Sequence, residues 1–585
     1  MGAGLSVAAD RAAEASRMEQ LDTPTSWLGG AARSRGLVAV EVGWLMLLWF
    51  ILGGGPVPEV NEAHYLTKAR HFWDPSFCSR DLFLNSGDGH YGFFFLLGGI
   101  TQWLSLPAAA WVGRTIGWLA LAWSWQRLSA ALVPVAGASL LSAGAWAVLV
   151  ETAQMSGEWV IGGWEAKVLA YALVFAGLAE VVHQRWGRAG LWMGAATAFH
   201  VLVGGWSWLL VALAWLADGR PTWRQARDLA VPWIAGLALA AIGLVPALQL
   251  QSGVSPVVAQ AAHQIYTWGR LSHHLLLRNF PHEAILLHVL LIAVFMTIWR
   301  MRPRSAAASR LGRVVWGAIG LALVGALLDA TLGAHPRGAS LLRFYWFRST
   351  DVLVPLGVSL LGLAQLQQRY PTQPRRVVSV ATVVGLLVLV AAASLVGQQW
   401  RQNMAQGNRQ GAIWSDSQLN DWIEMCDWIR QHTPRDALLL TPPDHQTFKW
   451  YAERSELVTS KDVPQSAEAL VEWWKRLTEV RQWQRSTEAI DANRRLNELL
   501  SAYEPDYVLV RQVPGSLVPR LAIAHQNPAY LLLVVPRETP GGQSPASPAS
   551  EQNTGAANAD SQGSGVAGQH TNVDEPKTQA RGVDR

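Results

Sequence analysis

A carboxylate stands near the start of a polar stretch, VNEAHYLTKARHFWDPSF (60–77), that follows the first strongly apolar segment of the chain. A carboxylate at a membrane surface can take a proton from a hydroxyl group as that hydroxyl attacks a substrate. Glu62 is therefore a candidate general base. An acid in the first turn of a helix also complements the helix dipole, so a purely structural role is equally open.

Residues 62–73 place apolar and polar side chains on opposite sides at helical spacing. The pattern predicts an amphipathic helix on the outer membrane face, with Asn61 as its N-cap. Asp74 ends this helix, because the residue before a proline is disfavoured in helical geometry.

The segment FCSRDLFLNSGDGHYG (77–92) adds Asp81, Asp88 and His90. An Asp-x-His pair can supply two ligands to a divalent metal or can bind an acceptor hydroxyl. The alternative is an ordinary turn in Asn-Ser-Gly-Asp-Gly. Asp88 and His90 are thus the candidate metal ligands, and a divalent metal stays open as a cofactor.

Charged residues also stand at the predicted outer ends of apolar segments, at Glu165 and Lys167. Ionisable groups at membrane depth are costly without a partner or a wet cavity, which makes both residues candidates for substrate binding. The simpler interpretation is a first-turn acid beside a lysine whose ammonium reaches the interface.

Two later loops contain arginine together with aromatic and other charged residues. RNFPHE (278–283) contains Arg278 and His282, and RGASLLRFYWFRSTD (337–351) contains Arg343 and Arg348. Guanidinium groups suit phosphate oxygens because they form forked hydrogen bonds. The alternative is a belt of interfacial anchors, in which arginine and aromatic side chains sit at the headgroup level.

The composition indicates a membrane protein that crosses the bilayer several times. Of 585 residues, 50% are hydrophobic and 15% are charged, and 31 are Trp, which favours the headgroup level. The formal net charge of +5 comes from clusters between apolar segments and does not predict nucleic-acid binding. Cys78 and Cys426 have no metal-ligand spacing.

The apolar segments predict a mainly α, polytopic fold with about eleven transmembrane helices. These segments are 37–54, 108–126, 131–150, 167–183, 190–203, 205–217, 229–248, 283–299, 314–330, 351–368 and 377–397. With a cytoplasmic N-terminus, the inner connections hold more than twice as many Lys and Arg as the outer ones. Segment 91–106 is predicted to be interfacial or re-entrant, since a span there would place the basic loops outside.

The chain divides into four predicted regions. A cytoplasmic segment at 1–36 precedes a transmembrane domain at 37–397, whose first outer loop is 55–107. Residues 398–536 alternate helix-like stretches with short β-rich runs, which predicts a small extracytoplasmic α/β domain. Residues 540–585 have no apolar period and are predicted to be disordered.

These features together resemble the GT-C superfamily of integral-membrane glycosyltransferases, such as the protein O-mannosyltransferases and the aminoarabinose transferases of lipid A. NEAHY (61–65) is similar to the family motif Asp-Glu-x-x-Tyr/Phe, DGHY (88–91) to its His-Pro-Pro segment, and Arg114 to the arginine that opens its second span. Residues 428–464 also resemble the tail domain of bacterial relatives of unknown function.

The resemblance implies transfer of a sugar, with inversion, from a polyprenyl-phosphate donor to a glycan, lipid or protein acceptor at the outer face of a bacterial inner membrane. It implies substrate contacts by His64, Tyr65, His90 and Arg114. Lys167, Arg343 and Arg348 would stabilise the charge that develops on the leaving phosphate.

The family's catalytic aspartate is replaced here by Asn61, and the two prolines that follow the family's histidine are missing. Glu62, Asp74 or Asp81 would then act as the base, or the activity is lost. Two other functions stay open. One is a GT-C-like scaffold that binds without turnover; the other is a transporter of lipid-linked saccharides, which would need polar groups near the bilayer midplane.

Overall fold

The structure is a computed structural model that describes residues 35–59, 61–219, 222–301, 304–369, 416–512 and 519–536. Within these residues the protein is mainly helical, with one small sheet. The predicted span at 377–397 and the predicted disordered tail at 540–585 lie outside the described residues.

Up to residue 369 the described chain is helical, with short loops and single turns of 3₁₀ or π helix. Its α-helices are α1 (Arg35–Gly53), α2 (Glu62–Trp73), α3 (Leu82–Asn85), α4 (Tyr91–Leu97), α5 (Leu106–Leu132), α6 (Ala138–Ala153), α7 (Ala166–Val182), α8 (Trp186–Phe199), α9 (Val201–Ala217), α10 (Trp223–Gln249), α11 (Pro256–Gln264), α12 (Ser272–Leu275), α13 (His282–Arg300), α14 (Ala306–Leu332), α15 (Pro336–Leu342) and α16 (Arg348–Arg369). The 3₁₀ turns are Gly98–Gln102 and Leu277–Asn279, and the π turn is Ile265–Arg270.

From residue 416 onwards, the described chain forms an α/β unit around a five-stranded sheet. Its elements are α17 (Asp416–His432), β1 (Leu438–Leu440), α18 (Phe448–Ala452), β2 (Ser455–Glu456), α19 (Ala467–Gln484), α20 (Ala489–Tyr503), β3 (Tyr507–Arg511), β4 (Ala522–Gln526) and β5 (Tyr530–Val534). The strand order is β2-β1-β3-β5-β4. Strand β1 is parallel to its neighbours β2 and β3, and strand β5 is antiparallel to its neighbours β3 and β4. The predicted alternation of helix and strand is present, and its side of the membrane stays a prediction.

Five helices are long and apolar enough to cross a membrane: α1, α10, α13, α14 and α16. Helices α6 and α9 are apolar but shorter. These helices indicate an integral membrane protein. Helices stand at ten of the eleven predicted positions, while the number of spans stays a prediction. Helix α4 has seven residues and runs directly into the 3₁₀ turn Gly98–Gln102, and the interpretation of 91–106 as a segment that does not cross stays a prediction.

The break between α8 and α9 falls at His200, where the backbone is extended, and not at Gly204-Gly205, where the predicted segments 190–203 and 205–217 meet. The His200 ring accepts a hydrogen bond of 3.3 Å from the Val203 backbone N–H, so it caps the helix that follows. Both glycines lie within the first turns of α9. The histidine that ends one helix therefore begins the next.

Helices α8 and α10 approach closely because glycines face each other across the contact. A Cβ atom on Gly194 would lie 2.1 Å from the Gly236 carbonyl oxygen, a clash that only glycine avoids. The opposite side of α10 is apolar and exposed, for example at Val231, Ile234 and Leu248. Such a face suits contact with lipid.

A buried lysine joins the α/β unit to the loop that follows α2. Lys449 Nζ lies 3.0 Å from an Asp81 oxygen, 2.8 Å from a Glu456 oxygen and 2.5 Å from an Asp462 oxygen. Arg80 adds an ion pair of 2.7 Å with Asp506. These contacts fix the α/β unit over the first loop, at one edge of the cavity described next.

Candidate functional site

A cavity of about 540 Å³ lies where the first loop, the segments 159–167, 262–274 and 343–348, and the α/β unit meet. Seven residues that the sequence singled out line this cavity together. They are His64, Tyr65, His90, Glu165, Lys167, Arg343 and Arg348. Residues more than 280 positions apart in the chain thus form one wall.

Five cationic side chains line the cavity: Lys167, Arg270, Arg343, Arg348 and Lys461. Two of them have a carboxylate partner. Lys167 Nζ lies 3.6 Å from a Glu165 oxygen, and Arg348 Nε lies 3.2 Å from a Glu158 oxygen. The cavity therefore has more positive than negative charge, which favours an anionic ligand.

The other three cations make no ion pair with any described residue. Arg343 lies 3.4 Å from the Gln251 amide oxygen and packs over the Phe344 ring. Arg270 Nε donates to the Ser460 carbonyl at 3.1 Å. Partly buried guanidinium and ammonium groups that make no ion pair suit an anion that accepts several hydrogen bonds, such as a phosphate.

Burial lowers the pKa of Lys461 to about 8. Glu165 opposes this effect, while the charges of Arg270 and Lys167 add to it. An anion bound among these cations would stabilise the charged ammonium and reverse the shift. The lowered pKa therefore reflects mainly the cost of burying the ammonium group before the ligand arrives, and the neighbouring cations add to that cost.

Glu165 is the carboxylate among the described residues that line the cavity. Its Oε1 accepts a hydrogen bond of 2.9 Å from the Asn61 amide, and its Oε2 faces Lys167. Asn61 was expected to cap α2, but its side chain makes no capping hydrogen bond. The Asn61 amide instead orients Glu165, which lies 104 residues further along the chain.

His90 packs against His200 and Tyr65, with ring centroids 4.8 Å and 5.4 Å apart. Burial, with a smaller contribution from the nearby His64, lowers the pKa of His90 to about 4. The ring is therefore neutral near pH 7. A neutral imidazole in the wall can hydrogen-bond a sugar hydroxyl without adding charge.

Glu62 does not line the cavity. Its oxygens accept hydrogen bonds from Arg114 Nε and Nη2, both at 2.6 Å, and from the backbone N–H groups of Trp164 and Glu59, both at 2.8 Å. Glu62 is fully buried and Arg114 nearly so. These four bonds favour a positioning role for Glu62 over the base role that the sequence suggested, and they also turn Arg114 away from any substrate.

The remaining carboxylates of the first loop also point elsewhere. Asp74 accepts from the Ser76 backbone and hydroxyl. Asp81 caps α3 and contacts Lys449. Asp88 lies 3.1 Å from Lys68 Nζ and does not line the cavity, whereas His90 does, so the metal pair stays a prediction. Among the described residues, no group of three or more potential ligands could hold a metal ion.

Arg278 and His282 lie apart from the cavity. Arg278 makes a two-point contact with Asp329, with the nearest atoms 2.7 Å apart. His282 is exposed in the first turn of α13. Neither of these predicted substrate contacts lines the cavity. Arg278 is held by Asp329, a carboxylate 51 residues along the chain.

One wall of the cavity is apolar. Leu244, Ala247 and Leu248 come from the last turns of α10, and Leu470 comes from α19. Leu248 is 62% exposed, so the cavity reaches the outward face of α10 at this residue. A ligand with a charged head and an apolar tail could therefore place its head among the cations and its tail along α10.

Sequence reasoning missed Arg270, Lys461 and Asp462. Lys461 and Asp462 stand in TSKDVP (459–464), within the segment 428–464 that resembles the tail domain of other proteins. Two adjacent charged residues after a short buried strand were the available signal. No comparable signal marks Arg270, because the surrounding segment TWGRLS (267–272) is typical of an interfacial turn.

The sequence profile of a domain of unknown function (DUF6798) matches residues 420–480, the segment that carries Lys449, Lys461 and Asp462. No curated protein matches the chain. The chain is similar to a solved structure of the oligosaccharyltransferase AglB from the archaeon Archaeoglobus fulgidus, in complex with an inhibitory peptide and a dolichol-phosphate. The match covers 81% of this chain and 69% of that chain, with 12% sequence identity and a TM-score of 0.42. The chain is also similar to the Archaeoglobus fulgidus oligosaccharyltransferase in complex with Zn and sulfate, at 13% identity over 81% and 68%, with a TM-score of 0.42.

Proposed function

We propose that this protein is a membrane glycosyltransferase that moves a sugar from a lipid-phosphate donor to an acceptor hydroxyl. The observation that carries the proposal is the cavity itself, which combines three cations that make no ion pair with a described residue and an apolar wall that ends at the exposed Leu248. A polyprenyl-phosphate sugar has the matching parts: an anionic head, a sugar and an apolar tail.

In this reaction the acceptor oxygen attacks the anomeric carbon, and the bond from that carbon to the phosphate oxygen breaks. The lipid phosphate leaves with the electron pair. Arg270, Arg343 and Lys461 stabilise the negative charge that grows on the phosphate, because fixed cations in a low-dielectric site need no reorganisation. Inversion at the anomeric carbon follows from attack opposite the leaving group.

The site is expected to face outwards, since the charged loops that form it lie at the predicted outer ends of the spans. The donor sugar and the acceptor are not specified by these residues. Glu165 and His64 both line the cavity and can accept hydrogen bonds from sugar hydroxyls.

The test is release of label from a radiolabelled polyprenyl-phosphate sugar in membranes that contain the protein. Wild type is compared with Arg343→Gln, in the cavity, and with Arg337→Gln, an exposed arginine of the same loop. Loss of transfer in Arg343→Gln alone supports the proposal.

Two other outcomes would overturn the proposal in different ways. Binding of the donor without release of label would identify a scaffold. Appearance of intact donor on the opposite membrane face would identify a transporter.

A further inference from the structure

His64 and Asp462 are hydrogen-bonded although they lie 398 residues apart in the chain. His64 is on α2, and Asp462 follows β2 of the α/β unit. The distance from His64 Nδ1 to Asp462 Oδ1 is 2.8 Å. The contact therefore forms only when the α/β unit is in place over the first loop.

Asp462 is held as an anion. Its second oxygen lies 2.5 Å from Lys449 Nζ, and the side chain is almost fully buried. Burial acts to raise the pKa of Asp462, but the charge of Lys449 and the hydrogen bond from His64 outweigh it, so the pKa is lowered. An ionised carboxylate can only accept hydrogen bonds, and it therefore fixes the proton of His64 on Nδ1.

The other nitrogen of His64 is then the one that accepts a proton. The ring lines the cavity, and its side chain is 19% exposed, against 4% for Asp462. Phe83 packs against the ring with centroids 4.4 Å apart, which limits its rotation. Among the described residues, none forms a hydrogen bond with His64 Nε2, so that atom is available to a ligand in the cavity.

We propose that His64 is the general base of the transfer and that Asp462 is the residue that positions it. This inference rests on the proposed function. The acceptor O–H gives its proton to His64 Nε2, the oxygen bonds to the anomeric carbon, and the carbon–phosphate oxygen bond breaks. The ring becomes an imidazolium, which the Asp462 carboxylate stabilises, and it later passes its proton to solvent.

Glu165 fits the base role less well because both of its oxygens already have partners. The Asn61 amide bonds one, and Lys167 faces the other. Glu165 is better placed to orient the sugar and to balance the charge of Lys167. In this arrangement, the cations on one side of the cavity bind the phosphate, and the Asp462-His64 pair on the other side accepts the proton.

The key variant is His64→Asn. Its amide can still donate to Asp462 from near the Nδ1 position, but it has no atom at Nε2, so packing is retained while the base is removed. We expect sugar transfer to fall by roughly 100-fold or more, the usual contribution of general base catalysis. Binding of the polyprenyl-phosphate sugar should be unchanged within about threefold, which is under 1 kcal/mol.

A second readout separates a catalytic from a structural role. In His64→Ala, added imidazole is expected to restore part of the transfer, whereas it should not restore transfer in Asp462→Asn, in which the ring is present but its proton is no longer fixed. The control is His432→Asn, an exposed histidine of the α/β unit.

The outcomes distinguish the two proposals. If wild type transfers sugar and His64→Asn transfers it at nearly the same rate, the base assignment is wrong and the proposed function stands. If His64→Ala is inactive and imidazole has no effect at any concentration, the assignment is likewise overturned. If wild type itself releases no label from the donor, the proposed function fails.

Discussion

Arg114 and Glu62 form a two-point ion pair, with Nε–Oε1 and Nη2–Oε2 distances of 2.6 Å and no exposure of either side chain. Arg114 also donates to the carbonyl oxygens of Gly55 and Pro56. The pair therefore joins the start of α2 to α5 and to the chain that leaves α1. The ion pair thereby fixes the position of α2, whose residues His64 and Tyr65 line the cavity.

We expect Glu62→Gln to lower the free energy of unfolding by about 3–5 kcal/mol, because the buried guanidinium loses its two-point partner and keeps only the longer contact with Glu59, at 3.9 Å. The measurement is the thermal unfolding midpoint in detergent. Glu453→Gln is the control, since its ion pair with Arg70 is longer, at 3.5 Å, and partly exposed, and such pairs contribute about 0–1 kcal/mol. Complete loss of transfer with an unchanged midpoint would restore Glu62 to a chemical role.

We expect binding of polyprenyl phosphate to weaken as the pH rises through about 8. Lys461, whose pKa burial lowers to about 8, is charged below that pH and neutral above it. A bound anion favours the charged form, so binding near pH 8 should take up a proton. In Lys461→Arg the side chain stays charged, and this pH dependence should disappear. Titration calorimetry in two buffers of different ionisation enthalpy measures both effects, and equal dependence in the two proteins would contradict the assignment.

We expect Arg343→Gln to weaken binding of polyprenyl phosphate by roughly tenfold or more, because a hydrogen bond to a charged group contributes about 1.5–3 kcal/mol. Arg337→Gln should leave binding unchanged, since Arg337 is exposed and outside the cavity. Salt sensitivity provides a second measurement, and the dissociation constant of the Arg343 variant should change less with ionic strength. Equal weakening in both variants would indicate a general surface effect.

We expect Lys449→Met to loosen the α/β unit from the first loop. The substitution leaves Asp81, Glu456 and Asp462 buried together without their shared cation. Burial raises the pKa of Glu456 to about 7 even with Lys449 present, so this group costs stability as the pH rises from its ordinary value towards 7. Without Lys449 that cost grows and extends to higher pH.

Limited proteolysis at pH 6 and pH 8 measures this effect, with faster cleavage of the variant at pH 8. Lys475→Met is the control, because Lys475 is exposed on α19. Cleavage at the wild-type rate in Lys449→Met would show that the apolar contacts alone hold the unit.

Local rules predicted much of the fold. The bounds of α2 match the predicted 62–73, because proline after Asp74 and the apolar spacing are visible in the sequence. The polar side of this helix, however, was expected to face solvent, and Thr67, Lys68 and His71 are buried instead. Periodicity shows which residues share a side but not what covers that side.

Long-range pairing decided which predicted site residues belong to the cavity. Arg278 and Arg343 look alike in sequence, since both are outer-loop arginines beside aromatic residues. Asp329 forms an ion pair with Arg278, while among the described residues Arg343 has no carboxylate partner and lies near the Gln251 amide oxygen. Nothing local distinguishes the two arginines, because each partner comes from a distant part of the chain. The contact between His64 and Asp462 could not be predicted for the same reason, since the two residues lie 398 positions apart in the chain.

The placement of Lys461 and Asp462 late in the chain has a consequence for biosynthesis. The ribosome makes every described helix up to Arg369 before it reaches these two residues. A nascent protein that has already inserted its membrane helices therefore holds cations and Glu165 but lacks the Asp-His pair. Under the proposed mechanism, the enzyme remains inert during translation and becomes competent only when its last domain folds onto its first loop.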